Sequence, residues 1–182
     1  MAQAKELILR DLHERHPGLT WALGECFAEA AQVCYARYHE PPVELLLDCD
    51  GTAEAGQLDF PVPGERLRRA HANEIDATEL GAYGISLAAL EAVSGLVAIK
   101  RAETLTGADW YVAPVGADLD DLELCLRLEV AGVGAGNRND IRRKLVEKVD
   151  QAARGRSNLP AIASVVGFRA LQIAIRTVGE HQ

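Results

Sequence analysis

The chain has 182 residues, of which 48% are hydrophobic and 25% charged, with a net charge of −8. This length and composition suit a globular protein with one well-packed domain, or a domain with a small extension. No apolar run approaches the roughly 18 residues of a membrane span, and the amino terminus mixes acids into an amphipathic stretch unlike a signal peptide. The expectation is a cytoplasmic protein without a membrane partner, whose acidic bulk weighs against tight nonspecific duplex binding.

Residues 2–16 read as a first helix, with Leu7, Ile8, Leu9 and Leu12 apolar, ended by Pro17 and Gly18. Residues 21–38 read as a second, in which Leu23, Phe27, Ala30, Ala31 and Cys34 recur at spacings near three and four, and Pro41 and Pro42 stop it. PVELLLDCDG and GQLDFPVP follow as two strands turning at Asp50 and Gly51, so residues 42–63 are expected to form a hairpin. Asp48, Cys49 and Asp50 look like a metal-binding DxD, but at the mouth of a hairpin turn chemistry is the better reading. Pro61-Val62-Pro63-Gly64 then marks a boundary between an amino-terminal extension, 1–63, and a core, 64–182.

The core opens with a helix from residue 65 or 73 to residue 93, carrying Leu80, Tyr83, Gly84, Leu87 and Leu90 along one face. Gly81 and Gly84 weaken it by about 1 kcal/mol each relative to Ala in an exposed interior, and in return allow a neighbouring element to come close. Glu79 lies on the row Glu79, Tyr83, Ser86, Leu90, at the edge of the apolar face, where a helix carboxylate can reach a site beside a sheet. Glu74 and Asp76, nearer the amino end, are explained by capping and the helix dipole.

VAIKRAE, TGADWYVAPV and LELCLRLEVAG read as three strands, the last two joined by the solvated acidic loop ADLDDLE. Residues 140–153 form a helix with Ile141, Leu145, Val149 and Ala152 buried and Lys144, Lys148 and Gln151 as a neighbouring stripe. AIASVVGF, nearly uncharged, suits a strand buried on both faces, and ALQIAIRTV alternates as the last strand. Periodicity therefore gives helix, three strands, helix, two strands.

Chemistry concentrates in RLEVAGVGAGNRND. Leu126, Leu128 and Val130 alternate with Arg127, Glu129 and Ala131, which places an acid on a strand with hydrophobic flanks. Two readings are open: Arg127 and Glu129 lie on a solvated face, or Glu129 is enclosed and needs a partner, a metal or a route to water. The glycines precede a helix, as in a phosphate loop, but Asn137 stands where a dinucleotide fingerprint needs its third glycine, and no Gly-Lys-Ser/Thr is present. A flexible turn is the plainer account.

Residues 137–182 carry a net charge of +5 against −13 for the rest. They read either as a phosphate-binding face or as a helix whose bases pair with Asp140, Glu147 and Asp150. Cys26, Cys34, Cys49 and Cys125 show no CxxC spacing and read as small buried hydrophobes. His13 and His16 form an HxxH without a third ligand nearby and read as surface residues, so zinc is not supported.

An acid in a helix, Asp109 at a strand start, Glu129 within the next strand and a basic helix after it resemble the PD-(D/E)xK restriction-endonuclease-like superfamily. NEIDATELGAYG, TGADWYV and RLEVAG also look like a bacterial group with an RLEVSG strand, to which no activity is attached. The resemblance covers roughly residues 73–178. It implies an α/β fold with a restriction-endonuclease-like core in a mixed sheet, Asp109 and Glu129 as ligands of Mg²⁺, Glu79 as a third acid acting through water, and a nucleic-acid substrate. The family's lysine, two residues after the strand Glu, is here Ala131, so Lys144 or Lys148 would have to supply the ammonium. Two functions follow as expectations: a metal-dependent nuclease in a bacterial defence or toxin-associated setting, or an inactive regulatory subunit that binds a protein partner from the same operon.

Overall fold

The computed structural model describes residues 3–103, 106, 108–155 and 157–179. Ala2 of the first expected helix, Gly107, and Arg156 and Glu180 of the basic segment lie outside the described residues. Within them the chain is mixed α/β: β1 (Lys5–Leu7), α1 (Leu12–Arg15), α2 (Trp21–Ala36), β2 (Val43–Cys49), β3 (Thr52–Leu58), α3 (Glu65–Ala70), α4 (Glu74–Ser94), β4 (Leu96–Arg101), β5 (Trp110–Pro114), β6 (Leu126–Val133), α5 (Arg138–Ala153), β7 (Ala161–Gly167) and β8 (Gln172–Val178). From α4 onward the succession is helix, three strands, helix, two strands, as periodicity led one to expect. A short 3-10 turn at Leu122–Leu124 interrupts the loop before β6.

All eight strands form one mixed sheet in the order β1-β3-β2-β8-β7-β6-β5-β4. β4, β5 and β6 make an antiparallel meander, β7 adds parallel to β6, and β8 runs back antiparallel to β7. The hairpin β2–β3, turning at Asp50 and Gly51, joins the same sheet because β2 pairs in parallel with β8. α5 crosses β6, β7 and β8 on one face, burying Ile141, Leu145 and Ala152. α4 and α2 cover the other face over a core that includes Phe27, Leu47, Leu58, Leu128 and Ile173, so a single core draws on both the first 63 residues and the rest.

α2 packs closely on α4, and Gly81 and Gly84 are the contact. A methyl at Gly81 would stand 3.0 Å from the Ala31 backbone, and one at Gly84 3.1 Å from Phe27 Cβ, which is tighter than side chains ordinarily pack. Asn73 starts α4 by accepting the N–H groups of Ile75 and Asp76. A buried hydroxyl pair, Ser86 with Ser164 at 2.8 Å, ties α4 to β7.

The amino terminus departs from expectation. Lys5–Leu7 is a strand, paired in parallel with Gly56, Gln57 and Leu58, and the helix is only Leu12–Arg15. Leu7 and Leu9 are buried while Glu6 and Ile8 are exposed. That alternation has the period of a strand, and Asp11 in the left-handed region breaks the chain before the short helix.

The reading of His16 as a surface residue is also corrected, since it is fully buried. Its Nδ1 accepts the Ala98 N–H at 2.9 Å, which leaves the neutral ring's proton on Nε2, facing Glu91 Oε2 at 3.2 Å. Arg15 holds the same Glu91 at 2.8 Å. Burial lowers the His16 pKa from 6.5 more strongly than Glu91 raises it, and Arg15 adds to the lowering. The folded state therefore favours neutral His16, whose contribution is complete above pH 6.5 and is lost as pH falls through the depressed folded value. Denaturant midpoints should decline from about pH 8 to about pH 5, and His16→Gln should flatten that decline; an equal decline in the variant would refute the assignment.

Candidate functional site

β6 presents two faces, both covered. Leu128 and Val130 pack toward α4, whereas Arg127 and Glu129, 5% and 2% exposed, turn toward α5. The solvated-face reading is thereby overturned. Arg127 is satisfied by carbonyls: Nη1 donates to Ala152 O at 3.0 Å near the end of α5, and Nε to Leu159 O at 3.1 Å. Glu129 takes its partners from the second half of α5, Lys148 Nζ at 2.9 Å on Oε2 and Gln151 Nε2 at 3.3 Å on Oε1. Burial pushes its carboxyl above the usual value of 4.5; Lys148 opposes that and the charge of Asp109 adds to it.

Asp109 stands just before β5, where it fastens the neighbouring strands. Its N–H donates to Leu128 O at 2.8 Å, and its Oδ2 accepts the Val130 N–H at 2.8 Å. Its Oδ1 lies 3.0 Å from the Tyr83 hydroxyl, and Glu79 Oε1 is 3.0 Å from that same oxygen. Glu79 and Tyr83 are one helical turn apart on α4, so both reach the sheet end together. Two carboxylates thus converge on one phenol, which has a single proton to donate. Arg101 completes the group: Nη2 donates to the Tyr83 hydroxyl at 3.1 Å and lies 3.8 Å from Asp109, and the guanidinium stacks over Tyr83 and Trp110. Burial and the nearby acids push the Tyr83 phenol well above its usual pKa, against Arg101.

These groups border an open cleft of about 550 Å³ whose walls include Thr78, Glu79, Tyr83, Asp109, Lys144 and Lys148. Ala131 is on the wall as well, whereas Glu129 is not among the lining residues. Of the two candidate lysines, Lys148 reaches a site acid. Lys144 borders the cleft but pairs with Glu147 of its own helix at 2.6 Å. Arg143 similarly pairs with Asp140 at 2.6 Å, so part of the basic segment does neutralise itself.

Among the described residues, no group of three His, Cys, Asp or Glu side chains is arranged to hold a metal ion. The carboxylates on the cleft wall include Glu74, Glu79 and Asp109, of which Glu79 and Asp109 meet at Tyr83, and Glu129 can turn to a cation only by releasing Lys148. A pair of carboxylates is the hard oxygen chemistry that Mg²⁺ accepts, with water and phosphate completing its shell. The start of α5 is capped by its own side chains: Asn137 accepts the Asn139 and Asp140 N–H groups, and Asp140 accepts that of Asn137. Those three amides are therefore committed to the cap rather than to a phosphate.

Tyr83, Arg101, Gln151 and Arg127 were not assigned to the site from sequence. Tyr83 and Gln151 carried a usable signal, each sharing a helix face with a candidate residue. Arg101, on the neighbouring strand, carried none. No protein-family model, curated protein or solved structure matches the chain.

Proposed function

We propose that the chain is a degenerate member of the PD-(D/E)xK superfamily, a Mg²⁺-dependent nuclease in which Lys148 replaces the lysine missing at Ala131. One observation carries this reading: the Lys148 ammonium, offered from α5, is 2.9 Å from Glu129 and borders the same cleft as Asp109 and Glu79. The succession of α4, three strands, α5 and two strands supports it, being the order that the endonuclease-like core requires. Asp109 and Glu79 are the acids to hold the ion, and Glu129 positions Lys148. Bound there, Mg²⁺ would acidify a water and neutralise phosphate charge. Lys148 contributes fixed positive charge where a phosphodiester gains negative charge. A setting in bacterial defence or toxin regulation belongs to this proposal.

A second reading has its own observation. Both oxygens of Asp109 and both of Glu129 already have internal partners, which suits an inactive subunit that binds a protein from the same operon. The test is cleavage of single- and double-stranded DNA and RNA with Mg²⁺, Mn²⁺ or chelator, beside thermal unfolding in millimolar ion. The nuclease reading expects metal-dependent cleavage and a metal-induced rise in Tm, both lost in Asp109→Asn. Because residue 131 is on the cleft wall, Ala131→Lys should strengthen cleavage. No metal shift in the wild type, together with an inert Ala131→Lys, would give the case to the interaction subunit.

A further inference from the structure

α5 carries two basic flanks separated by the buried stripe Ile141, Leu145 and Ala152. Lys144 and Lys148 face the cleft described above, and Arg138 and Arg142 face the other way, over β8 and β2. There the sheet has a pocket of about 290 Å³, with a floor of Leu46, Ala53 and Ala174 and a wall of Arg138, Arg142 and Arg176. Arg176 is committed, because its two Nη groups grip the two oxygens of Asp48 at 2.9 Å each. Asp48 also accepts the Gly51 N–H, so the turn chemistry expected of the DxD is present and the fork of Arg176 is added to it. The nearby Asp50 is occupied by Thr177 through its N–H and hydroxyl, 2.8 Å each.

Arg138 and Arg142 are different. They are exposed, stand at i and i+4 on one helix face, and make no ion pair or hydrogen bond among the described residues. Like charges at that spacing repel, and the charge that draws on Arg142 is that of Asp48, which Arg176 already grips. On the wall beside them, the Oε1 of Gln172 is shielded from solvent and has no hydrogen-bond partner among the described residues. The pocket thus offers two free guanidinium forks and an apolar floor. Planar guanidinium groups match phosphate oxygens bidentately. A ligand that answers both features has a phosphate and a flat or compact apolar body.

We infer that the pocket between β2, β8 and the first two turns of α5 binds a small organic phosphate, held by Arg138 and Arg142 with its body on Leu46, Ala53 and Ala174. This inference is independent of the nuclease reading, since the two sites share no lining residue.

The test titrates the purified chain with inorganic phosphate and with phenyl phosphate at ionic strength fixed by chloride, following thermal unfolding and two-dimensional amide NMR. Saturable stabilisation is expected from both, stronger from phenyl phosphate, with shifts at the amides of Ala53, Arg142 and Gln172. Arg138→Ala with Arg142→Ala should weaken binding about tenfold or more, as loss of charge-assisted hydrogen bonds does, and should leave the metal response of the other cleft unchanged. An absence of saturable effects, an unchanged affinity in the double variant, or shifts confined to other residues would overturn the assignment. Equal affinity for the two phosphates would remove the organic body from it. The NMR arm needs only the wild-type chain, so a variant that fails to fold leaves the test intact.

Discussion

Lys148→Met should cost about 3 kcal/mol of stability at neutral pH, the low end of what breaking a buried ion pair costs. The low end applies because Lys148 is 19% exposed, whereas Glu129 is only 3% exposed in its side chain. Removing the lysine leaves the more deeply enclosed partner ionised, with only Gln151 at 3.3 Å to satisfy it. The sign of the pH dependence follows. Glu129 already titrates above 4.5 because it is buried, so folding favours its protonated form; the stability this gives is full below the unfolded value and is lost as pH rises through the folded one. Without Lys148 the folded pKa moves further up, so the deficit of the variant should grow with pH and shrink toward acid. Adding Glu129→Gln should recover most of the loss, since neutralising both partners removes the uncompensated charge. Denaturant unfolding of the four chains of this double-mutant cycle at two pH values isolates the pair. A deficit independent of pH would show that the methionine acts through packing alone.

What the sequence disclosed and what it withheld divide along range of contact. α5 was readable because its apolar stripe and its lysines lie within 13 residues of one another, from Ile141 to Ala153, although its cap at Asn137 stands ahead of the start expected at residue 140. β7 was readable because a strand buried on both faces needs an apolar run, and AIASVVG supplies one. Asp109, Glu129 and Glu79 stood out as acids with apolar or helical neighbours, and Asp109 and Glu79 do meet, at Tyr83. The solvated-face reading of Arg127 and Glu129 failed because its refutation comes from α5, about twenty residues on, whose carbonyl and ammonium groups satisfy charges that local pattern marks as exposed. Arg101 was invisible for the same reason, since its role comes from register beside β5 and from reach to α4. At the amino terminus the misreading was of period: Ile8, Leu9 and Leu12 fit one apolar side of a helix, and only pairing with β3 reveals the alternation of Leu7 and Leu9 with Glu6 and Ile8 as a strand.

Gly132→Ala should destabilise the fold by about 2–3 kcal/mol, toward the upper range for overpacking a close-packed interior. A methyl on Gly132 would stand 2.5 Å from both the carbonyl oxygen and Cγ2 of Thr78, in the second turn of α4. Cγ2 belongs to a side chain that can be shortened, but the carbonyl is backbone of a helix anchored by the Ser86–Ser164 pair and by α2. Relief therefore requires α4 to move away from β6. Thr78→Ser removes the methyl and leaves the carbonyl, so it should restore only part of the loss. The same displacement acts on the cleft, because Glu79 follows Thr78 directly and Tyr83 is one turn further on. With α4 shifted, Glu79 and Tyr83 leave Asp109, which stays fixed to β6 by its own hydrogen bonds with Leu128 and Val130. Any metal response of the wild type should accordingly weaken in Gly132→Ala under conditions where the variant remains folded. The measurements are the denaturant midpoint with its slope, which separates lost stability from a changed denatured state, and the metal-induced change in Tm. A variant within ~0.5 kcal/mol of wild type, the range of an ordinary surface substitution, would mean that β6 and α4 are not held as closely as the contact at Gly132 requires.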